Sequence, residues 1–381
     1  MHPLAIVTVV TRNYLQYALS LKASCVRWMP DCDFHIILLD KLQAEEIDAV
    51  QHIPANQLDI ERWKVFSFQY TPFELACAIK PYAMRHLINL GYKRVIYLDA
   101  DMAIYSRLES VERALDENSV VLTPHLIQPL PLDGGKPDEK LFLTTGAFNG
   151  GLVGCGSDGV GRAFLDWWAS RLKNDCYVDI SRGVFVDQKW LDLVPGLFRN
   201  VAILRNPGCN TGYWTLSQFQ LSGDFSKGFR VGTEPLECFH FSNFLPPNPY
   251  EFMRSQTRVS FDSLPALKEL VKNYHEVLVG NHSKKYSAIG CELRSMSDKT
   301  LIKPEWREAV RRGYRGLSQI EDPFDAVANP DLVNQFIRIE RKASRWRGDW
   351  RDCLPSNQAK QQETKRIKNY WKYLRAKLRW S

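Results

Sequence analysis

The chain has 381 residues, of which 45% are hydrophobic and 24% charged, and its formal net charge is +7. Such a composition is typical of a globular protein with a sizeable core and room for two domains, and no stretch approaches the roughly 20 apolar residues of a membrane span. Residues 359–381 hold eight Lys or Arg and one Glu, which leaves 42 basic and 42 acidic residues elsewhere. A neutral body argues against an extended nucleic-acid surface, and we expect no nucleic-acid partner.

The nine cysteines lie in scattered apolar surroundings and form no C-x-x-C pair. An odd, unpaired set of this kind is typical of reduced thiols in a cytosolic protein. The first ten residues contain an apolar run, but neither a basic lead nor a small-residue cleavage site. We therefore interpret them as a first strand rather than a signal peptide.

Strand and helix patterns alternate over the first 125 residues. Apolar runs predict strands at residues 4–10, 34–39, 95–98 and 120–122. Amphipathic patterns predict helices at residues 14–27 and 73–90. This alternation predicts an α/β fold with a mainly parallel sheet flanked by helices. Residues 129–140 are rich in turn formers and charge, which predicts a surface loop that can serve as a mobile lid.

The second half of the chain begins with a glycine-rich segment at 144–154, where glycines allow close backbone approach or a bulge. Further patterns predict a helix at 161–173, a short helix opened by residues 185–191, strands at 201–204 and 238–241, and a helix at 264–278. We predict three parts: an α/β domain at 1–255, a mainly helical region at 256–358, and a basic tail at 359–381.

The strand predicted at 95–98 is followed by two carboxylates one residue apart, Asp99 and Asp101. Ligands of open α/β sheets bind beyond the carboxyl ends of the strands. Side chains alternate along a strand, so both carboxylates point to one side and can share one divalent cation. The alternative is a solvated turn or a helix cap.

The tail has the pattern of a basic amphipathic helix. Ile367, Tyr370, Trp371, Leu374 and Leu378 fall on one side of a helical wheel, and basic residues lie opposite. This pattern favours an anionic membrane surface. A helix docked on the body and a disordered tail are the alternatives.

Over residues 4–245 a series of motifs follows in order: the polar end of the first strand, Lys80 in a helix, VIYLDAD at 95–101, FNGG at 148–151, VDQKWLDLV at 186–194 and FHFS at 239–242. This order resembles nucleotide-sugar glycosyltransferases of the GT-A fold, and is most similar to glycosyltransferase family 8 and its bacterial relatives. Each motif is weak alone, but their shared order is specific.

The resemblance implies roles for particular residues. Asp99, Asp101 and His240 would ligate Mn²⁺ or Mg²⁺, and an imidazole ligand favours Mn²⁺. Asp187 and Gln188 would lie at the reacting sugar. The nucleotide-sugar donor, expected to be UDP-linked, would contact Thr8, Thr11, Tyr14, Asp40, Lys80, Asp99, Asn149, Gly150 and Asn210.

Several of these residues have a structural alternative. His240 could be a core residue, Lys80 a surface lysine, and Asp187 an N-cap. The segment at 149–151 could be a plain glycine turn. Trp214, in a motif of a narrower bacterial group that also has Asp322-Pro323-Phe324, could stack on a sugar or pack in the core.

One departure from the family concerns the diphosphate. Family 8 usually places a glycine and then a lysine after the late histidine, whereas residues 241–247 here contain neither. Arg254 or Arg258 could supply the missing charge. The departure leaves the identity of the donor open.

The pattern as a whole predicts a metal-dependent hexosyltransferase acting on a saccharide or glycolipid acceptor in cell-surface glycan synthesis. Gln188 is an amide and not a base, which favours retention of anomeric configuration. We expect a cytoplasmic protein that contacts the inner face of the membrane. The alternatives are a nucleotidyltransferase, which would be expected to have a glycine-rich phosphate loop after strand one, and a non-catalytic carbohydrate-binding protein.

Overall fold

A computed structural model describes residues 4–43, 46, 50–249, 253–254, 256–313 and 319–338. The described residues divide into two compact units, one formed by those within 4–59 and 76–290 and the other by those within 60–75 and 291–338. This division differs from the predicted boundary at 255/256. The basic tail at 359–381 lies outside the described residues.

The strands, labelled in chain order, are β1 (Leu4–Val10), β2 (Asp33–Leu38), β3 (Ile53–Pro54), β4 (Arg94–Leu98), β5 (Met102–Ile104), β6 (Val120–Pro124), β7 (Phe148–Gly156), β8 (Val178–Asp179), β9 (Val184–Phe185), β10 (Val201–Ile203), β11 (Leu221–Asp224), β12 (Gly228–Val231), β13 (Glu234–Pro235) and β14 (Cys238–His240).

The α-helices are α1 (Leu15–Trp28), α2 (Trp63–Phe68), α3 (Pro72–Ala78), α4 (Lys80–Asn89), α5 (Glu109–Glu117), α6 (Glu139–Thr145), α7 (Gly159–Leu172), α8 (Val194–Leu197), α9 (Pro265–Gly280), α10 (Ser283–Ser287) and α11 (Pro304–Arg311). The 3₁₀ turns are Arg12–Tyr14, Ala55–Gln57, Ile180–Arg182, Gln188–Leu193, Phe261–Ser263 and Glu292–Arg294. None of the helices within the described ranges is both long and apolar enough to cross a membrane.

The first unit is built on a seven-stranded sheet in the order β10-β6-β7-β4-β1-β2-β3. Strand β7 runs antiparallel to its neighbours β4 and β6, and the other pairs are parallel. Every residue of β1 and β7 is buried, as expected for strands covered on both faces. The predicted mixed, mainly parallel sheet with flanking helices is confirmed, as is a helical carboxyl-terminal region.

Two elements near the site differ from the sequence prediction. The single helix predicted at 73–90 is two helices, α3 and α4, because Pro81 has no N–H to continue the first helix and stands in the first turn of the second. The predicted loop at 129–140 ends at α6, whose N-cap Asp138 accepts a hydrogen bond from the backbone N–H of Leu141.

Helix α9 belongs to the core of the first unit. Its buried Leu267, Leu270 and Tyr274 share one apolar cluster with Phe239 and Phe241. The rings of Phe241 and Tyr274 stack with centroids 3.8 Å apart. This contact joins α9 to the residue that directly follows β14, and α9 lies within the first unit.

The second unit has its own aromatic core. Phe336 stacks on Phe68 and on Trp306, with ring centroids 5.6 and 4.9 Å away. Phe324 of the Asp-Pro-Phe motif packs edge-on against Phe68 at 5.0 Å. The backbone N–H of Phe324 donates to Asp322. In the second unit this motif therefore forms a packed turn.

Candidate metal centre

The two carboxylates stand where β4 leaves the sheet. The backbone N–H of Asp99 donates to the carbonyl of Gly151 at 2.8 Å. The chain then enters β5, which pairs antiparallel with β14 so that His240 lies opposite Met102. The N–H of Phe241 donates to the carbonyl of Asp101, also at 2.8 Å. This short two-stranded ribbon brings a histidine from late in the chain to the acidic pair.

Asp99, Asp101 and His240 each offer one ligand atom, and these atoms lie within 4.8 Å of one another. Nε2 of His240 is 3.1 Å from an oxygen of Asp101 and 3.9 Å from one of Asp99. Both carboxylates are almost one-third exposed, whereas the histidine is buried. Two carboxylates and an imidazole form a donor set that suits Mn²⁺ or Mg²⁺ and leaves coordination positions for a ligand.

Lys80 lies behind the acidic pair and is only 3% exposed. Its ammonium nitrogen is 2.9 Å from the carbonyl of Gly150, 3.2 Å from Asp99 and 3.0 Å from Asp187. Burial alone would lower its pKa, but the carboxylates of Asp187 and Asp99 outweigh burial and raise the pKa well above its usual value. Lys80 is thus a buried cation whose three N–H groups all have protein partners, and not a surface lysine.

Tyr97, the residue two before Asp99, also contacts this cation. Its hydroxyl donates to Oδ1 of Asp99 at 2.8 Å, and the ammonium of Lys80 lies 4.7 Å from its ring centroid. The hydrogen bond from Tyr97 and the ion pair with Lys80 together fix the orientation of the Asp99 carboxylate.

Asp187 and Gln188 reach the same region from the 3₁₀ turn Gln188–Leu193. Asp187 is 1% exposed, and burial raises its pKa against the opposing effect of Lys80. Its side chain makes no N-cap bond to that turn. Gln188 is held at both ends, since its Oε1 accepts from the N–H of Gly150 at 3.1 Å and its Nε2 donates to Thr145 at 2.9 Å.

Residues 149–151 form an irregularity in β7. Leu122 of β6 pairs with Val153, but the next residue, Thr123, pairs with Asn149, so three residues are accommodated between two pairs. A Cβ on Gly150 would lie 2.6 Å from Asp187, and one on Gly151 would lie 2.5 Å from the ring of His240. The glycines are therefore required because the backbone passes directly between Asp187 and His240.

Asn149 and Asn210 are both buried, and Asn210 lies between Asn149 and His240. Nδ2 of Asn210 is 3.1 Å from Oδ1 of Asn149, and Oδ1 of Asn210 is 3.2 Å from Nδ1 of His240. Trp214 is buried between two imidazoles, edge-on to His240 at 5.4 Å and to His125 at 5.2 Å. Of its two predicted roles, the structure shows packing.

His125 was missed by the sequence reasoning. It directly follows β6, is buried, and has its Nε2 3.0 Å from the amide nitrogen of Asn149. Burial lowers its pKa to about 3. The available signal was its position, because a polar residue at the carboxyl end of a buried strand faces the ligand crevice.

Of the residues predicted for the base and ribose, Thr8 lies within β1, Thr11 and Tyr14 follow β1, and Asp40 follows β2. Thr8 is fully buried, and no described residue is a hydrogen-bond partner of its Oγ1. The hydroxyl of Thr11 donates to Asn13 at 2.6 Å, and Asp40 accepts from the N–H of Arg12 at 2.6 Å. Tyr14 stacks on Tyr17. Since β1 pairs in register with β4, these ends lie beside the end that carries Asp99.

The two arginines considered for the missing diphosphate lysine differ in their surroundings. Arg254 is exposed. Arg258 is held by the loop before α6, since its guanidinium donates to Asp133 at 2.7 Å and to the carbonyls of Pro137 and Gly135 at 2.9 and 3.1 Å. Arg258 therefore fastens this loop.

The chain matches no protein-family model. Two uncharacterised proteins of Bacillus subtilis (strain 168) are similar in sequence. YfnF is 26% identical over 280 residues, which cover 71% of this chain and 90% of that protein. YfnD is 23% identical over 255 residues, which cover 64% and 79%. Neither relative has a described activity in its name.

Three solved glycosyltransferases are similar in structure at low levels. The galactosyltransferase LgtC, in complex with donor and acceptor sugar analogues, has a TM-score of 0.43 at 14% identity and covers 72% of this chain and 95% of its own. GlyE of Streptococcus pneumoniae TIGR4 has a TM-score of 0.40 at 14% identity, covering 75% and 64%. The bifunctional glycosyltransferase WbbM has a TM-score of 0.42 at 11% identity, and the match covers 75% of this chain and 52% of WbbM.

Proposed function

We propose that this protein is a metal-dependent glycosyltransferase of the GT-A, family-8 type. It transfers a hexose-type sugar from a UDP-linked donor to a saccharide or glycolipid acceptor, with retention of anomeric configuration. The observation that carries the proposal is the cluster of Asp99, Asp101 and His240 at the carboxyl end of a central strand. The motif order that resembles family 8 supports the choice of donor class.

The side chains of the cluster fit a divalent cation. Asp99 and Asp101 supply hard oxygen ligands that solvent can reach, and His240 supplies a nitrogen that favours Mn²⁺ over Mg²⁺. A bound cation would offset the negative charge of the departing diphosphate. The carboxylates and the imidazole are close enough to serve as its ligands without a change of fold.

Buried charge keeps the cluster in place. Lys80 is ion-paired with both Asp99 and Asp187, so its single positive charge offsets part of the repulsion between two neighbouring carboxylates. In this role Lys80 supports the ligands and does not bind the diphosphate itself. We assign the donor's base and ribose to the strand ends that carry Thr8, Thr11, Tyr14 and Asp40.

The groups around Gly150 support the proposed retention of configuration. Gln188 is an amide fixed by two hydrogen bonds and cannot act as a general base. Asp187 is buried and ion-paired with Lys80, so it is a poor candidate for activating an acceptor hydroxyl. The acceptor proton is then left to the departing phosphate oxygen on the same face of the sugar.

We further propose a cytoplasmic location with contact to the membrane. The tail at 359–381 would bind an anionic inner leaflet. A lipid-linked glycan acceptor made on that face would then lie close to the enzyme.

A donor screen tests the proposed function directly. Purified full-length protein is incubated with individual nucleotide sugars and Mn²⁺, and slow release of the nucleoside diphosphate is measured. We expect hydrolysis of a UDP-sugar. Binding without turnover would indicate a carbohydrate-binding protein, and pyrophosphate release from a nucleoside triphosphate and a sugar phosphate would indicate a nucleotidyltransferase.

The Asp99→Ala variant should lose this hydrolysis and metal-dependent donor binding while remaining folded. Loss of one metal ligand in such a site is expected to lower turnover by on the order of 10²–10³-fold. Asp166→Ala is a matched control, because Asp166 is a surface carboxylate paired with Arg85. Turnover of Asp99→Ala near the wild-type rate, with an unchanged circular dichroism spectrum, would contradict the metal-site assignment.

A further inference from the structure

A row of four buried polar side chains leads from the metal cluster into the protein. His240, Asn210, Asn149 and His125 are each at most 6% exposed. They come from four separate segments of the chain, and Trp214 packs edge-on against both imidazoles. Buried polar groups are costly unless hydrogen-bonded, so their arrangement needs a physical account.

Consecutive members are within hydrogen-bonding distance. Nδ1 of His240 is 3.2 Å from Oδ1 of Asn210, whose Nδ2 is 3.1 Å from Oδ1 of Asn149. Nδ2 of Asn149 is 3.0 Å from Nε2 of His125, whose Nδ1 is 3.0 Å from the carbonyl of Gly146. The row therefore ends on a backbone group.

Backbone groups fix the direction of these hydrogen bonds, because a carbonyl only accepts and an N–H only donates. The carbonyl of Gly146 requires a proton on Nδ1 of His125. The N–H of Gly151, 2.8 Å from the side chain of Asn149, requires an oxygen there. The amide nitrogen of Asn149 then faces Nε2 of His125, which accepts because burial keeps this histidine neutral, with its pKa lowered to about 3.

The same direction continues to His240. With the oxygen of Asn149 set by Gly151, Asn210 must present its amide nitrogen to that oxygen, and the nitrogen also donates to the hydroxyl of Thr123 at 2.7 Å. The oxygen of Asn210 is then turned toward Nδ1 of His240. It can only be satisfied there by a donor, so Nδ1 carries the proton.

We propose that Asn210, Asn149 and His125 are positioning residues that hold His240 as its Nδ1–H tautomer, which leaves Nε2 unprotonated toward Asp99 and Asp101 to bind a divalent cation. Only an unprotonated imidazole nitrogen ligates a metal, and the hydrogen bond at the other nitrogen decides which one is free. This proposal rests on the metal site of the proposed function.

When no metal is bound, Nε2 of His240 faces a carboxylate oxygen of Asp101 at 3.1 Å, and a hydrogen bond there needs a proton on Nε2. The tautomer is therefore measured with diamagnetic Mg²⁺ in excess and without substrate. Full-length protein labelled with ¹⁵N-histidine is examined by long-range ¹H–¹⁵N NMR, and the His240 signals are identified by their absence in His240→Gln. We expect the Nδ1–H pattern for His240 and also for His125. An Nε2–H pattern for His240 would overturn the proposal.

Two variants of nearly equal size separate positioning from packing. Asn149→Asp keeps an oxygen toward Gly151 and Asn210, whereas Asn149→Leu keeps none. We expect Asn149→Asp to retain the Nδ1–H tautomer and Mn²⁺ affinity within about threefold, and Asn149→Leu to lose the fixed tautomer and roughly 10–100-fold in affinity, measured by calorimetry. If the Leu variant does not fold, loss of both properties by Asn149→Asp would overturn the proposal. In that variant the oxygen that orients Asn210 survives, and only the bond to Nε2 of His125 is lost, because a carboxylate has no N–H to donate.

The outcomes distinguish this proposal from the proposed function. A wild-type protein that binds no Mn²⁺ would overturn the proposed function and, with it, the positioning role of Asn210, Asn149 and His125. If the protein binds Mn²⁺ but His240 carries its proton on Nε2, only the positioning role of these three residues would be overturned.

Discussion

The residues that surround the cluster are as constrained as the ligands themselves. Gly151 has no room for a side chain between His240, Asn149 and Asp99. Lys80 is enclosed by two carboxylates and a carbonyl. A sequence motif identifies the candidate metal ligands. The surrounding residues determine the local charge, the orientation of the ligand side chains and the distances between them.

Gly151→Ala tests this constraint at a single atom. An added Cβ would lie 2.5 Å from the ring of His240, 2.7 Å from Asn149 and 2.9 Å from Asp99. Overpacking of this kind costs about 1–3 kcal/mol, which corresponds to roughly 5- to 150-fold in Mn²⁺ affinity if the ligands move. Calorimetric Mn²⁺ titration is the measurement. Gly159→Ala, where no atom lies within 4 Å, is the control and should bind like wild type.

His125 gives the folded state a defined pH dependence. Its pKa is about 3 in the folded protein and about 6.5 when unfolded, so the unfolded chain takes up the proton first as the pH falls. The stabilisation is complete above pH 6.5 and is lost progressively toward pH 3. At pH 5 the loss is about 2 kcal/mol, since it depends there only on the unfolded pKa.

The measurement compares wild type with His125→Gln by urea unfolding at pH 8 and pH 5. The difference in unfolding free energy between the two proteins should be smaller at pH 5 by about 2 kcal/mol. A difference that does not change with pH would show that His125 is not held neutral in the folded state.

At the level of elements, the site depends on two irregular features of the sheet. The ribbon of β5 and β14 carries His240 to the acidic pair, and the bulge in β7 brings Gly150 and Gly151 across it. Both features lie at the carboxyl ends of the parallel strands, where open α/β sheets bind ligands. Without the ribbon, His240 would not reach Asp99 and Asp101. Without the bulge, Gly150 and Gly151 would not pass between Asp187 and His240.

The loop before α6 was predicted to be a mobile lid, and Arg258 fastens it through Asp133 and three loop carbonyls. Arg258→Gln should speed amide hydrogen exchange in residues 131–137 by at least about tenfold, because each lost bond from a charged donor is worth about 1.5–3 kcal/mol. Arg162→Gln is the control, since Arg162 bonds a carbonyl outside this loop. Equal exchange in both variants would rule out the fastening role.

For the whole molecule, charge is distributed unevenly. The body is neutral by formal count, and the excess of +7 resides in residues 359–381, which lie outside the described residues. The two compact units have separate aromatic cores. The proposed chemistry belongs to the first unit, and the proposed membrane contact belongs to the tail.

Deletion of residues 359–381 should move the protein from the membrane fraction to the soluble fraction. Each Lys or Arg near an anionic surface contributes about 1 kcal/mol, so binding to vesicles that contain phosphatidylglycerol should be lost with the tail. Vesicles of phosphatidylcholine alone serve as the control and should bind neither form. Unchanged fractionation after the deletion would refute the membrane assignment.

The sequence by itself determined the mixed α/β sheet and the position of the acidic pair. Apolar periodicity is a local signal, and carboxylates that interrupt it at a strand end are visible without a structure. The same local signals could not show that residues 148–156 form an antiparallel strand, because glycine-rich segments have weak strand propensity and pair through long-range contacts.

Only the tertiary structure decided how the site is supported. Lys80 is buried rather than exposed, and His125 reaches Asn149 from the end of another strand. These relations join residues that are 24 to 107 positions apart, as with His125 and Asn149 or Lys80 and Asp187. Hydrogen-bond direction and charge balance arise from such distant pairs, which is why a motif can name Asp99 and His240 but cannot state what holds them.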